Sequence, residues 1–364
     1  MSKKNTAISS SFDPIIENPK AAPRTKIQNF IGWSRREFVA KTTIAGAGTL
    51  LGLSSGVIAA QSKPETARVR LIQIPGVCIA PMYVAESLLH NEGFTDVQFV
   101  KKPSTTFIYS TLASAETDIV MGFAPSFVIQ LDAGDPVIVL GGVHVGCYEL
   151  FGTDRVRAIS DLKGKRVAVP ELGSTHHLFL TSVVSYVGLD PRKDIQWVTR
   201  PPSEAKQLLA KREIDAYMGF PPDPQELRAK KIGRVMLNSA VDRPWSQYFC
   251  CMVAGNREYV RKNPAATKRA LRAILKADQM CALEPQNVAR FLVDKGYTPN
   301  YDYAFQAMKD VPYGKWRDFD PEDTLRFYSL RLHEAGMIKS SPQKIIAQGT
   351  DWRFLKELKK ELKT

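Results

Sequence analysis

From Arg68 onward, short runs of β-branched residues alternate with stretches in which apolar positions recur at helical spacing. This alternation is typical of βαβ units and predicts parallel sheets flanked by helices. The pattern occurs once up to about residue 143 and starts again near residue 166. The predicted strands are Val69–Ile74, Val97–Lys101, Ile119–Gly122 and Val137–Val143, then Arg166–Val169, Ile195–Thr199, Ala216–Gly219 and Arg234–Leu237.

Helices are predicted between these strands and throughout the chain after Gly255. Proline stands at the start of several of the later ones, where its missing N–H costs nothing. The helices predicted between strands are Pro81–His90, Phe107–Ala115, Ser126–Leu131, Thr175–Val187, Glu204–Lys211 and Pro224–Ala229. The helices predicted after the last strand are Asn256–Asn263, Ala265–Leu283, Val288–Asp294 and Pro321–Ala335.

One motif occurs at the same place in both series. The sequences TDIVMGFAPS and IDAYMGFPPD share Asp-x-x-Met-Gly-Phe-x-Pro, which begins at Asp118 and again at Asp215. Each copy is predicted to be the third strand of its own α/β unit, with glycine allowing a sharp turn and proline opening the next helix. Ligands of open α/β sheets bind beyond such strand ends. Phe123 and Phe220 therefore either face a shared cleft or pack in the cores of their own sheets.

Composition and charge narrow the class of protein. The 364 residues are 44% hydrophobic and 24% charged, which is ordinary for a globular chain of about two or three domains. The formal net charge is +13, but the basic residues are scattered and are not interleaved with stacking aromatics. A solvated basic surface is therefore favoured, and no nucleic-acid partner is predicted.

The first sixty residues are predicted to be an export signal. Arg35 and Arg36 precede a mildly apolar run over residues 42–60, as in a twin-arginine signal, although Val39 and Lys41 depart from the usual pattern. The run is too weakly apolar for a membrane anchor, which needs about 20 strongly apolar residues. Residues 1–60 are therefore expected to engage the twin-arginine translocase and send the protein to the periplasm. The alternative is a buried helix that follows two arginines by chance.

The stretches GGVHVGCYEL from Gly141, DLKGKRVAV from Asp161 and GSTH from Gly173 follow one another along the chain. They resemble the solute-binding proteins of the nitrate, aliphatic-sulfonate and thiamine-pyrimidine-precursor group. The resemblance implies an α/β type II periplasmic binding-protein fold with two α/β lobes, two crossovers and a helical C-terminal region. Residues 66–146 and 252–364 would form lobe 1, and residues 147–251 would form lobe 2.

The resemblance also implies a function and partners. The chain would capture a small solute in the interlobe cleft by domain closure and deliver it to an ABC permease and its ATPase. By position, the ligand-binding residues would be Cys78, Ser104, Thr105, Phe123, His144, Tyr148, Gly173, Ser174, Thr175, His176, Phe220 and Tyr248. Ser174 or Thr175 can cap the following helix, whose free N–H groups favour an anion or a carbonyl oxygen, and Ser104 can do the same on the other lobe. A cap without a ligand remains an alternative.

Cysteine and histidine are concentrated on the same predicted loops. Thiols and imidazoles can hold soft metals, so Cys147, His144, His176 and Cys250 are weak candidate ligands. Their spacing matches no known ligand motif, and neither a cofactor nor a firm metal site is predicted. Adjacent side chains such as Cys250 and Cys251 normally point apart, so each pair is expected to offer one member. The alternatives are thiols that line a pocket, or a disulfide between Cys147 and Cys250.

Aromatic residues suggest the class of solute. Tyr148, Trp245, Tyr248 and Phe249 join the two phenylalanines of the repeated motif in a region suited to sandwiching a flat ring. Lysine and arginine are nearly absent from these loops, which weakens nitrate or a sulfonate as the ligand. A flat heteroaromatic solute is therefore preferred, and a sulfonate-like solute is the second candidate.

No enzymatic activity is predicted. The chain contains no His-Glu-x-x-His helix and no phosphate-binding loop. One alternative is a pyrimidine-precursor biosynthetic enzyme of the same fold, but the cysteine-rich iron-binding run of those enzymes is missing. A metal-binding or sensory periplasmic protein is a further alternative.

Overall fold

The computed structural model describes residues 64–362. The predicted signal segment lies outside the described residues. Within the described part of the chain, no helix combines the length and the apolar character needed to cross a bilayer.

The described chain contains ten strands and thirteen α-helices in an alternating order that becomes helical after the last strand. The strands are β1 (Arg68–Gln73), β2 (Asp96–Lys101), β3 (Ile119–Phe123), β4 (Val137–Val145), β5 (Glu149–Gly152), β6 (Lys165–Val169), β7 (Ile195–Thr199), β8 (Ala216–Gly219), β9 (Arg234–Asn238) and β10 (Phe249–Asn256). The helices up to β9 are α1 (Ala80–Asn91), α2 (Phe107–Ala113), α3 (Ala124–Ala133), α4 (Thr175–Tyr186), α5 (Pro202–Ala210) and α6 (Asp223–Ala229). The later helices are α7 (Arg257–Lys262), α8 (Pro264–Leu283), α9 (Pro285–Asp294), α10 (Tyr301–Asp310), α11 (Pro321–Glu334), α12 (Pro342–Gly349) and α13 (Arg353–Glu361).

The two halves of the chain build sheets of the same strand order. The second half forms one five-stranded sheet, β7-β6-β8-β5-β9, in which only β5 is antiparallel to its neighbours. The first half forms β1-β2 and β3-β10-β4, with β10 antiparallel to both neighbours. Since β1 lies beside β3, the strand order of this half is β2-β1-β3-β10-β4. In both halves the antiparallel strand is the fourth of five in this order. The sheets thus repeat one plan.

The repeated aspartate joins neighbouring strands in both halves. The Asp118 N–H donates to the Arg70 carbonyl oxygen at 2.8 Å, and the Asp118 carboxylate accepts the Arg70 N–H at 2.7 Å. Asp215 makes the same two bonds with Arg166, each at 2.8 Å. Both aspartates are buried, and each also pairs with a guanidinium, that of Arg70 or of Arg155. The motif is therefore a structural link between strands as well as a strand end.

The predicted role of the motif's proline holds in one copy only. Pro125 lies in the first turn of α3, as expected. Pro222 is instead the N-cap residue of α6, and Pro224 occupies the first turn. The second copy therefore needs two further residues before its helix begins.

All eight predicted strands and all ten predicted helices are present, with ends displaced by at most three residues. The pattern did not predict β5, which has no β-branched residue, or β10, whose only β-branched residue is Val253. The C-terminal helices make contacts with the first half. Helix α8 packs against α1, and the Arg272 guanidinium donates to the Glu92 carboxylate at 2.6 Å in a buried pair.

Candidate ligand-binding site

The ends of β3 and β8 converge on one aromatic cluster, defined here as Phe123, Tyr148, His176, Phe179 and Phe220. The Tyr148 ring centroid lies 5.1 Å from that of Phe123 and 6.0 Å from that of Phe220, so one ring touches both phenylalanines of the repeated motif. Phe123 is only 3% exposed, whereas Phe220 is half-buried. The two phenylalanines of the motif therefore differ in their surroundings. Phe123 belongs to the core, and Phe220 lies over the junction between the halves.

Phe220 covers the loop that follows β1. A Cβ atom added to Gly76 would lie 2.5 Å from Phe220 Cε2, so only glycine allows the ring this close. Gly76 also has a φ of +128°, a conformation that favours glycine. Beside it, the Val77 N–H donates to the Pro221 carbonyl oxygen at 3.2 Å. The loops of the two halves are thus in direct contact at the cluster.

His176 is the most unusual polar residue of the aromatic cluster. It lies in the first turn of α4, is 2% exposed, and packs between Tyr148 and Phe220 with centroid distances of 5.5 and 4.8 Å. Neither ring nitrogen finds a hydrogen-bond partner within residues 64–362. Burial lowers the pKa of His176 to about 3, so the imidazole is neutral and offers one donor and one acceptor.

Ser174 caps helix α4, as one of the two predicted alternatives. Its Oγ accepts the His177 N–H at 3.3 Å and donates to the Glu171 carbonyl oxygen at 2.7 Å. Thr175 follows it, is 3% exposed, and its hydroxyl has no partner in the described chain. Gly173 is exposed, and its N–H donates to His177 Nδ1 at 3.1 Å. The helix start therefore presents Thr175 and His176 to the interior, and Gly173 faces outward.

Ser104 is not the N-cap residue of α2. That residue is Thr106, which makes no side-chain cap. Ser104 Oγ accepts the Thr106 N–H at 3.3 Å and donates to the Glu171 carboxylate at 3.2 Å. Thr105 beside it is half-buried. The hydrogen bond to Glu171 joins the segment after β2 to the segment after β6, so Ser104 contributes to contact between the halves.

Tyr248 does not join the aromatic cluster. Its ring stacks on Phe327 of α11 at 3.9 Å and 10°, and Trp245 contacts the same ring at 5.5 Å. Phe249 packs against Phe319, with centroids 5.8 Å apart. Trp245 also contacts Phe179 of the aromatic cluster, with centroids 5.2 Å apart. The contacts of the three aromatics with Phe319 and Phe327 could not be read from the sequence pattern, because these partners lie about 70 to 80 residues further along the chain.

Two members of the site were not predicted. Phe179 lies 5.8 Å from Phe123 and 5.1 Å from Tyr148, and Tyr328 of α11 lies 5.9 Å from Phe123. Phe179 is four residues after Thr175, so the helical period of α4 could have identified it. No local signal could have identified Tyr328, because α11 reaches the site only through tertiary packing.

The predicted cysteine and histidine residues form a second cluster, the thiol cluster, defined here as Cys78, His144, Cys147, Cys250 and Cys251. All five are buried, and the Sγ atoms of Cys147 and Cys250 are 3.0 Å apart. Strand β10 is irregular between Phe249 and Met252, where the residue paired with His144 is Cys251. This bulge turns both adjacent thiols into the cluster. The expectation that only one of them would contribute is therefore wrong.

His144 is held in its protonated form by backbone carbonyl groups. Nδ1 lies 3.2 Å from the Val145 oxygen and 3.1 Å from the Gly146 oxygen, and Nε2 lies 3.1 Å from the Cys78 oxygen. Carbonyl oxygens only accept, so both ring nitrogens must carry a proton. Burial alone would lower the pKa of His144, but the negative charge of Cys251 raises it to about 9.

Cys251 supplies the matching negative charge. Hydrogen bonds from Cys147, Cys250 and Cys78, with the His144 charge, lower the pKa of the Cys251 thiol well below its ordinary value. Burial raises the pKa of Cys147 and of Cys250. Among residues 64–362, no group of three or more histidine, cysteine or acidic side chains is arranged to hold a metal ion. The thiol cluster thus combines four thiols with one imidazole, and Cys251 lies opposite His144 on the neighbouring strand.

Comparison with known proteins places this geometry in context. The profile of the NMT1-like family matches residues 62–292. Over 334 residues the chain is 20% identical to the nitrate/nitrite binding protein NrtA of Nostoc sp. (strain PCC 7120), a match covering 78% of this chain and 76% of that protein.

Solved structures show the same fold. The periplasmic nitrate-binding protein NrtA from Synechocystis PCC 6803 aligns with a TM-score of 0.69 at 16% identity, covering 83% of this chain and 90% of that one. The periplasmic sulfonate-binding protein SsuA of a putative sulfonate ABC transporter from Methylobacillus flagellatus KT aligns with a TM-score of 0.61 at 17% identity, covering 81% and 94%. The predicted periplasmic binding-protein fold is thereby confirmed. Because the family profile spans more than half of its length, the chain belongs to the NMT1-like family.

Proposed function

We propose that this protein is the solute-binding component of an ABC importer and that it captures a small, flat, neutral solute at the aromatic cluster. Relatives named as nitrate- and sulfonate-binding periplasmic proteins support the general class, including the periplasmic location and the permease and ATPase partners. Non-enzymatic capture agrees with those names. The identity of the solute is argued from the residues of this chain.

The observation that carries the proposal is His176. A buried polar group without a partner costs roughly 1 to 3 kcal/mol, so such groups persist mainly where function requires them. Both ring nitrogens of His176 are in this state in the described chain, and the Thr175 hydroxyl beside them is as well. A solute that offers one acceptor and one donor would satisfy the imidazole.

The charge of the site favours a neutral solute over nitrate. With a pKa of about 3, His176 stays uncharged at neutral pH and cannot balance an anion. Burial also lowers the pKa of the neighbouring His177. The N-terminus of α4 remains a favourable place for a carbonyl oxygen or a ring nitrogen. A flat heteroaromatic compound combines such atoms with a surface that stacks on aromatic side chains.

Closure would follow from contacts made only when the halves meet. The Val77–Pro221 and Ser104–Glu171 hydrogen bonds and the seat of Phe220 on Gly76 all join one half to the other. A solute that bridges the same surfaces favours this arrangement by its difference in affinity for the closed and open states. The lobe boundaries, residues 66–146 with 252–364 and residues 147–251, are part of this proposal.

A thermal-shift screen of neutral heteroaromatic compounds against nitrate and small alkanesulfonates would test the proposal, with calorimetry to confirm hits. His176→Leu removes both ring nitrogens and nearly preserves side-chain volume. We expect it to weaken binding of a hit at least tenfold without lowering the melting temperature of the ligand-free protein. His333→Leu, an exposed histidine of α11, is the matched control and should leave binding unchanged. Binding of anions alone, or equal affinity in both variants, would contradict the proposal.

A further inference from the structure

We propose that Cys147 and Cys250 form a redox-active dithiol and that its oxidation links the two crossover segments covalently. Solute capture does not require this chemistry, so the inference goes beyond the proposed function. It rests on the thiol cluster, which adjoins the aromatic cluster where Cys147 precedes Tyr148.

The two sulfur atoms are already close. Their separation of 3.0 Å is shorter than an ordinary nonbonded contact and longer than the bond of about 2.05 Å in a disulfide. Cys147 is 6% exposed and Cys250 is 4% exposed, so neither side chain is free to move away into solvent. Only a small rotation of the side chains separates the dithiol from bonding geometry.

The position of Cys147 and Cys250 means that a disulfide between them would restrain the crossover segments. The last paired residues of β4 and β10 are Val145 and Phe249, and Cys147 lies just beyond this point on the chain entering the second half. Cys250 lies on the chain returning from it. The two cysteines are 103 residues apart in sequence, and the whole β7-β6-β8-β5-β9 sheet lies between them. A disulfide here would close the second half into one covalent loop and restrain motion at the crossovers.

Further sulfur atoms adjoin the pair. The bulge of β10 places Cys251 on the same side as Cys250, and Cys78 lies in the same cluster. A thiol attacks a disulfide only after losing its proton, which the departing thiolate can take up.

The oxidant we assign is an organic disulfide, RSSR. Cys147 loses its proton and attacks one sulfur of RSSR, which forms a mixed disulfide and releases RS⁻. That RS⁻ takes up the proton and leaves as RSH. Cys250 then loses its proton and attacks the mixed disulfide at Cys147, and the second RS⁻ takes up that proton and leaves as RSH in the same way. Two S–H bonds and one external S–S bond are exchanged for one internal S–S bond and two RSH molecules.

The test uses the full-length wild-type protein in buffers of reduced and oxidised glutathione, followed by alkylation in denaturant, intact mass measurement and peptide mapping. One arm starts from folded protein. The other refolds reduced protein in the same buffers, so that burial cannot prevent access. We expect both arms to yield a species with three alkylated cysteines and a peptide that links Cys147 to Cys250. The oxidised form should melt about 5 °C or more above the reduced form.

Variants separate the roles of the thiols. Cys147→Ser and Cys250→Ser should each retain four alkylatable cysteines under every condition. Cys281→Ser, which replaces a buried cysteine outside the cluster, should form the disulfide like the wild type. A link between any other pair, five reduced cysteines in both arms, or one bound metal ion per chain that protects the thiols would overturn the proposal.

Discussion

At the scale of single residues, the burial of His176 should make the free energy of unfolding depend on pH. Its pKa of about 3 lies below the ordinary value of 6.5. Between pH 3 and pH 6.5, His176 therefore binds a proton in the unfolded chain but not in the folded chain. The contribution of His176 to the free energy of unfolding is therefore complete above pH 6.5 and falls as the pH falls towards 3. This contribution should be about 2 kcal/mol smaller at pH 5 than at pH 7.

Comparison of the wild type with His176→Gln isolates this contribution, because other titrating groups are common to both proteins. Urea unfolding at pH 5 and pH 7 should show a smaller pH dependence in the variant. Parallel pH dependence in the two proteins would mean that the imidazole is charged or solvated in the folded state.

The two phenylalanines of the repeated motif are expected to respond differently to truncation. Phe123→Ala removes a core ring and should lower the free energy of unfolding by about 3 to 5 kcal/mol. Phe220→Ala removes a half-buried ring, so it should cost less stability and mainly reduce affinity for a solute. Denaturant unfolding and calorimetry distinguish the two effects, with Phe107→Ala, a 40% exposed ring on α2, as control. Equal loss of stability in both variants would refute the division of roles.

At the scale of elements, the stability lost on replacing each repeated aspartate should depend on how exposed its arginine partner is. Asp118→Ala leaves the Arg70 N–H and guanidinium without their acceptor, and the Arg70 side chain is 27% exposed. Arg155, the partner of Asp215, is 47% exposed and better screened by solvent. We expect losses of about 3 kcal/mol for Asp118→Ala and about 2 kcal/mol for Asp215→Ala in denaturant unfolding. The reverse order would show that strand linkage in the second half matters more.

The sequence pattern predicted strands that are rich in β-branched residues or that carry the repeated motif, including β3, β4 and β8, which are buried at every position. It missed β5 and β10, which together contain one β-branched residue, Val253. The pairing of the halves was signalled by the repeated motif. The thiol cluster was only partly visible, because the bulge that turns Cys250 and Cys251 to one side depends on pairing with β4 and not on local preference. Tyr328 reaches the site through the packing of α11, which no local pattern encodes.

At the scale of the whole molecule, one charged contact joins the C-terminal helices to the second half. Arg228 of α6 pairs with Asp310 of α10 and with Glu149 of β5, and the Gln225 amide donates to Asp310 at 2.9 Å. These bonds stabilise the arrangement in which the halves touch. Asp310→Ala should therefore weaken solute binding about tenfold, equivalent to about 1.4 kcal/mol, by favouring the open state.

Small-angle scattering of the ligand-free Asp310→Ala protein should show a larger radius of gyration than the wild type. Asp323→Ala, an exposed acid of α11, is the matched control. Unchanged affinity and unchanged dimensions in Asp310→Ala would mean that this contact plays no part in closure.

The central claim is that the aromatic cluster captures a small organic solute, and native mass spectrometry tests it most directly. The protein is recovered from the periplasm of its own cells, and its native mass is compared with its denatured mass. We predict an additional mass of a few hundred daltons, on the order of a drug-sized heteroaromatic compound, which leaves on unfolding and is absent from His176→Leu. An additional mass equal to a single metal ion, or a solute retained equally by His176→Leu, would contradict the account.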